Sequence, residues 1–212
     1  MPNDKTTLLV TGFGPFPGAP VNPTAALIAR LARLQRAALG DVTIVTHVFN
    51  TSYAAVDRDL PALLARHKPN ALLMFGLHGR ARTLRIELRG RNALALLPDA
   101  AHSGLRRSKI APGAPPALAL PLPAPQLLSA ARAAKVAAVP SGDAGRYLCN
   151  YLIWRAAEAA KTGRPRLAAF VHVPPVRRKP RPFRAGRPRL SAEALARAGT
   201  ALLLAMAAAA RR

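Results

Sequence analysis

The sequence predicts an α/β protein, a three-layer α/β/α sandwich around a mostly parallel, twisted sheet. Three observations carry this. Short apolar runs at residues 8–11, 42–48 and 71–75 have the length and composition of buried strands. Longer stretches at 22–39 and 53–67 place apolar residues at helical spacing between them. The resulting strand–helix–strand–helix–strand order calls for parallel strands with helices on both faces.

Taken in order, Leu8-Leu9-Val10-Thr11 forms the first strand and runs into a Gly- and Pro-rich loop at residues 12–18. Asn22-Pro23-Thr24 opens a helix, with Asn22 or Thr24 as its cap. Leu27, Ile28, Leu31 and Leu34 carry it to about Leu39, and Gly40 ends it. The β-branched run at 42–48 is a second strand. Val56, Leu60, Leu63 and Leu64 mark a helix from Tyr53 to His67, weakened by Pro61. Residues 71–75 form a third strand ended by Gly76, and residues 84–96 add one or two more. A Pro-, Ala- and Gly-rich stretch at 98–125 is a long loop, of the kind that is functional or mobile. A short helix at 126–134, a short strand at 136–139, a strong helix at 146–161 and a strand at 167–173 follow. Ser191-Ala192-Glu193 starts a capped final helix. No internal repeat and no domain boundary appears, so residues 1–212 read as one domain.

Half of the 212 residues are hydrophobic, which excludes a disordered chain and is ample for a core. The one cysteine excludes an intrachain disulfide and a thiolate metal cluster, and fits a reducing, cytoplasmic setting. No His/Asp/Glu cluster has metal-site spacing, so no metal or other cofactor is expected. The start has no apolar signal segment, and the most apolar stretch, 201–210, is far shorter than the roughly 20 residues that span a bilayer. No membrane partner is expected. The net charge of +23 raises the alternative of a basic, nucleic-acid-associated protein. Most of the excess is arginine spread along an alanine- and proline-rich chain, which reads as a surface bias. The exception is the crowded run Arg177, Arg178, Lys179, Arg181, Arg184, Arg187 and Arg189, either a solvated loop or an anion-binding segment. No RNA-binding or helix-turn-helix signature accompanies it.

The chemistry centres on Cys149. It lies where a Gly-containing turn passes into an apolar helix, near the positive end of a helix dipole that favours a thiolate. His172 ends a strand, and Glu87 is one of only nine acidic residues. A lone Cys, a His and a carboxylate at element termini suggest a nucleophile, a base and an orienting acid. Each has a plainer reading. Cys149 could be an inert core thiol and His172 a structural histidine, with His47 an equal rival. Glu87, between Arg85 and Arg89, could be a surface ion pair, and Phe13 and Phe16 could be core. The loops at 12–18 and 76–82, the His172 loop and the Cys149 turn each follow a strand, and in a parallel sheet all four lie on one edge.

Four segments resemble the pyrrolidone-carboxylate peptidases, also called pyroglutamyl peptidase type I, a cysteine peptidase family. They are residues 8–16 with Asn22-Pro23-Thr24; Glu87-Leu88-Arg89-Gly90-Arg91-Asn92; Gly145-Arg146-Tyr147-Leu148-Cys149-Asn150; and Phe170-Val171-His172-Val173-Pro174. The resemblance implies release of an N-terminal pyroglutamyl residue from peptides by Cys149, His172 and Glu87, without cofactor or metal. It implies an α/β sandwich in the cytosol, assembled as a dimer or tetramer, with Phe13 and Phe16 bracketing the pyroglutamyl ring. The chain departs from the family's pattern at three places, one of them the basic, Pro-rich segment after His172. The glutamine of the family's Gly-Gln-Ala-Gly-Gly-Arg loop is missing from Gly76-Leu77-His78-Gly79-Arg80-Ala81-Arg82. Leu97 falls where an arginine near the oxyanion site is expected. These departures leave a second alternative, a catalytically altered member that binds a different small amide or peptide.

Overall fold

The computed structural model describes residues 5–16, 18–101, 107–176 and 190–212. The strands β1 (Thr6–Phe13), β2 (Val42–Phe49), β3 (Ala71–Leu77), β4 (Leu84–Glu87), β7 (Ala138–Ser141) and β8 (Leu167–Val173) form one six-stranded sheet. Its order is β2-β1-β3-β8-β4-β7. The pairs β1–β2, β1–β3, β3–β8 and β4–β7 are parallel, and β4–β8 is antiparallel. Short strands β5 (Arg89–Arg91) and β6 (Ala117–Ala119) pair separately, the second of them inside the stretch expected to be loop.

Side-chain alternation divides the core into two layers. Leu8 and Val10 of β1 and Leu73 and Phe75 of β3 face α1 (Pro23–Ala32), α3 (Ala124–Ala133) and α5 (Ala192–Ala210). Leu9, Leu72, Met74 and Phe170 face α2 (Tyr53–His67) and α4 (Leu148–Lys161). This is the expected α/β/α arrangement. Asn22 caps α1 by accepting from Thr24 N at 3.1 Å, Ser52 caps α2 and Ser191 caps α5. Pro61 is tolerated inside α2 because it lies on the exposed face, where water can take the carbonyl it leaves unpaired.

Several expectations are corrected. The first helix stops at Ala32 rather than near Leu39, with a separate 3₁₀ turn at Ala37–Leu39. Bonds from Arg33 N to Arg30 O and from Leu34 N to Leu31 O tighten its last turn. β3 runs through Gly76, because its pairing with β8 continues to Leu77. The final apolar helix spans 19 residues, more than the 201–210 stretch suggests, and is long and apolar enough to cross a membrane. It serves as a core helix instead. Leu195, Leu202, Leu203 and Met206 are buried against the sheet. Gly199 lets α1 approach so closely that a Cβ there would sit 2.7 Å from Leu27 Cδ1.

The sheet is also mixed where an all-parallel edge was expected. β1, β3 and β8 end on the same edge, but β4 and β7 run the other way. The Cys149 turn therefore leaves β7 at Ser141, level with Glu87 and Phe170, and crosses back over the α4 face.

Candidate active site

Strand register places the first two residues. His172 lies opposite Gly76 on one side and Arg85 on the other. Glu87 lies opposite Phe170, and is therefore the diagonal neighbour of His172 on the α4 face. His172 Nδ1 donates to Glu87 Oε1 at 2.8 Å. His172 is 2 % exposed and Glu87 fully buried, which removes the surface ion-pair reading of the carboxylate. His47 instead sits on β2, half-buried and bonded to Asp59 at 3.2 Å.

Cys149 is placed by α4 and by the turn before it. Gly145 adopts φ +81°, a left-handed conformation that glycine takes without strain. Asp143 Oδ1 accepts from Gly145 N at 2.9 Å, and its Oδ2 accepts from Arg91 Nη1 at 2.8 Å. Asn150 ties the new helix to β5: its side chain accepts from Arg91 N and donates to Arg91 O, both at 2.8 Å. The helix begins at Leu148, two residues later than expected, so Cys149 lies in its first turn. No side chain caps this helix. Among the described residues, the N–H groups of Leu148, Cys149 and Asn150 donate to nothing. The thiol itself nestles over Gly76, where a Cβ would come within 2.8 Å of Sγ. Cys149 is partly exposed and has no disulfide.

The electrostatics tie the three together. Burial opposes a charge on His172, but the Cys149 sulfur and the Glu87 carboxylate outweigh it and raise the imidazole to about 9. Burial likewise works against a charged Glu87. The His172 hydrogen bond, the nearby Ser141 hydroxyl and the charges of His172 and Arg85 nonetheless hold its carboxyl below the ordinary value. Arg85, which the sequence offered only as a surface ion-pair neighbour of Glu87, is a member of this group. Its Nη2 donates to Ser141 Oγ at 2.7 Å, and its Nε lies 3.4 Å from Glu87 Oε1. Its signal was the period-two spacing with Glu87, which puts both on one strand face. Ser141 Oγ also lies 3.5 Å from Asp143 O, and Glu87 Oε2 has no hydrogen-bond partner among the described residues.

Phe13 and Phe16 fare differently. Phe13 is 3 % exposed and packs on Phe49 with ring centroids 5.8 Å apart, in the cluster against which Cys149 and Tyr147 also pack. Phe16 is half-buried in the loop beyond β1, held by paired backbone bonds with Ala19 at 3.2 and 2.8 Å. Asn22 and Thr51 fasten this loop by donating to Gly14 O. On the other side, Ala95 N donates to Arg146 O and Tyr147 Oη to Pro98 O, so residues 95–98 run beside the start of α4. The exposed Leu96 and Leu97 lie in that segment. No group of three or more candidate metal ligands exists among the described residues. The basic run 177–189 lies outside the described residues.

A sequence profile for pyroglutamyl peptidase matches residues 6–211. A pyrrolidone-carboxylate peptidase of Pyrococcus furiosus is 31 % identical over 169 residues, covering 79 % of this chain and 80 % of that one. Human pyroglutamyl-peptidase 1 is 30 % identical over 187 residues, covering 83 % and 82 %. Among solved structures, the pyrrolidone carboxyl peptidase from Thermococcus litoralis superposes with a TM-score of 0.84 at 28 % identity, covering 95 % of this chain and 93 % of that one. On the extent of these matches, the chain belongs to the pyroglutamyl peptidase family.

Proposed function

We propose that this chain is a single-domain cysteine peptidase that releases an N-terminal pyroglutamyl residue from peptides. The observation that carries the reading is the fully buried His172–Glu87 bond of 2.8 Å with the Cys149 sulfur beside the imidazole, in a member of this family. The names of the relatives supply the substrate class.

His172 takes the Cys149 proton, and the thiolate attacks the carbonyl carbon that joins the pyroglutamyl residue to the next residue. The unpaired N–H groups at the start of α4 face the oxyanion that forms, an interaction worth about 3–4 kcal/mol per donor in comparable sites. His172 then protonates the departing amine. Water, deprotonated by His172, cleaves the thioester and frees pyroglutamate and the thiol. Glu87 holds the imidazole in the tautomer with its proton on Nδ1 and balances the positive charge. Phe13 and Phe16 form the walls for the flat lactam ring. No step requires a metal or cofactor. A lone thiol in this role fits a reducing compartment such as the cytoplasm. The resemblance to the family extends the proposal to a dimer or tetramer, read out by light scattering.

The test is hydrolysis of a chromogenic pyroglutamyl amide. Release of the chromophore by the folded protein, and its loss after alkylation of Cys149, is the expected result. A folded protein that leaves this amide intact overturns the assignment.

A further inference from the structure

His172 is braced on three sides. Glu87 holds Nδ1, and the Phe170 ring lies edge-on at a centroid distance of 4.9 Å. The third contact is His78, whose ring stands at 90° to that of His172 with centroids 5.2 Å apart. β3 can offer no closer support. The residue paired with His172 is Gly76, where a side chain would collide with Phe170 and Cys149. His78, two residues further on, fills that role. It is fixed at its backbone, where its N–H donates to Val173 O at 2.9 Å and its C=O accepts from Ala81 N at 3.0 Å.

We propose that His78 is a positioning residue for His172, a neutral ring that keeps the imidazole aligned on both Glu87 and Cys149. The inference rests on the roles given to Cys149 and His172 above, but not on the identity of the substrate. The charge state follows from the surroundings. His78 Nδ1 is buried and has no hydrogen-bond partner among the described residues. A doubly protonated ring would leave a charged donor unpaired there, which is unfavourable. Burial, the neighbouring His172 and Arg85 push the His78 imidazole below its ordinary value, and the weaker pull of Glu87 does not reverse this. These are the charged groups that face it from β8 and β4. A ring held neutral and packed edge-to-face fixes a plane without competing for the proton that moves between Cys149 and His172.

The experiment compares wild type with His78→Ala and His78→Phe, with His78→Asn in reserve should the alanine variant misfold. Turnover of the pyroglutamyl amide is measured alongside the rate of Cys149 alkylation by iodoacetamide, and melting curves check the fold. Loss of a positioning contact should lower kcat about tenfold while KM changes less than about twofold, since sub-ångström misplacement acts on the reacting geometry. Alkylation should slow in step, and His78→Phe should recover most of both losses. Unchanged kcat and alkylation in His78→Ala overturn the proposal. So does a rise in KM alone, which would make His78 a substrate contact, or a His78→Phe variant as impaired as His78→Ala, which would assign the work to a ring nitrogen. If wild type leaves the amide intact while alkylation follows the expected order, the substrate assignment fails and the positioning role stands.

Discussion

Gly76 and Cys149 occupy complementary space: the sulfur of Cys149 sits where any side chain on Gly76 would be, 2.8 Å from the Cβ position. The same Cβ would meet Phe170 Cζ at 2.5 Å. The absence of a side chain on β3 thus admits the thiol next to His172, which lies directly across the strand pair.

Gly76→Ala tests this. The added methyl displaces the thiol or the Phe170 ring, and overpacking of this kind costs about 1–3 kcal/mol. The expected result is a drop in melting temperature together with at least a tenfold loss of kcat, since sub-ångström misplacement is amplified in rate. A variant as active as wild type shows that the thiol has another way in.

Cys149→Ser should abolish turnover. The hydroxyl is a far weaker nucleophile than the thiolate at neutral pH. The site is partly exposed and the substitution small, so melting should shift by little. Retained turnover would remove the cysteine mechanism.

The coupling of His172 to the Cys149 sulfur and to Glu87 makes stability depend on pH. His172 titrates at about 9 in the folded protein, above the ordinary histidine value near 6.5. Its stabilising contribution is complete below about 6.5 and fades as pH rises through about 9. Glu87, held low, contributes above its ordinary value of 4.5 and loses that contribution as pH falls below it. Glu87→Gln keeps the shape and removes the charge. It should lower the His172 titration midpoint seen by NMR and flatten the alkaline decline in stability. An unchanged midpoint would mean that the sulfur alone holds the imidazolium.

The two aromatics of the first loop should separate in kinetics and stability. Phe13 is buried, so Phe13→Ala should cost about 3–5 kcal/mol in denaturant unfolding. Phe16 is half-buried in the loop beyond β1 and is proposed as a wall for the lactam ring, so Phe16→Ala should raise KM for a pyroglutamyl substrate with little change in melting. Unaltered KM in Phe16→Ala, with a large loss of stability, would make Phe16 a core residue instead of a pocket wall.

What the sequence revealed depended on how local each signal was. β1, β2, α2, β3 and β8 were legible because their apolar runs are long and their ends are marked by caps or turn residues. The end of α1 was not, because residues 30–39 are rich in helix formers, so propensity gives no stop. The three-residue β6 was hidden because so short a run has no period to detect. Glu87, Cys149 and His172 could be picked out as rare residues at element ends, but the reversal of β4 that brings Glu87 beside His172 is a long-range pairing with no local signature. His78 was visible only as the residue beside a missing glutamine. Its contact with His172 depends on β3 and β8 being neighbours.

The strand order has a consequence for how activity arises. β3 and β4 follow one another in the chain, yet β8, the last strand, lies between them. Until β8 inserts, β3 and β4 each present an open hydrogen-bonding edge, and filling them is a pairing of high sequence separation that topology makes slow. Glu87 and Cys149 lie ahead of that strand in the sequence and His172 lies on it. On the roles proposed for Cys149 and His172, a nascent or refolding chain carries its nucleophile for some time without a base, and gains activity only when the sheet closes. Recovery of activity during refolding is in effect a clock for the insertion of the central strand.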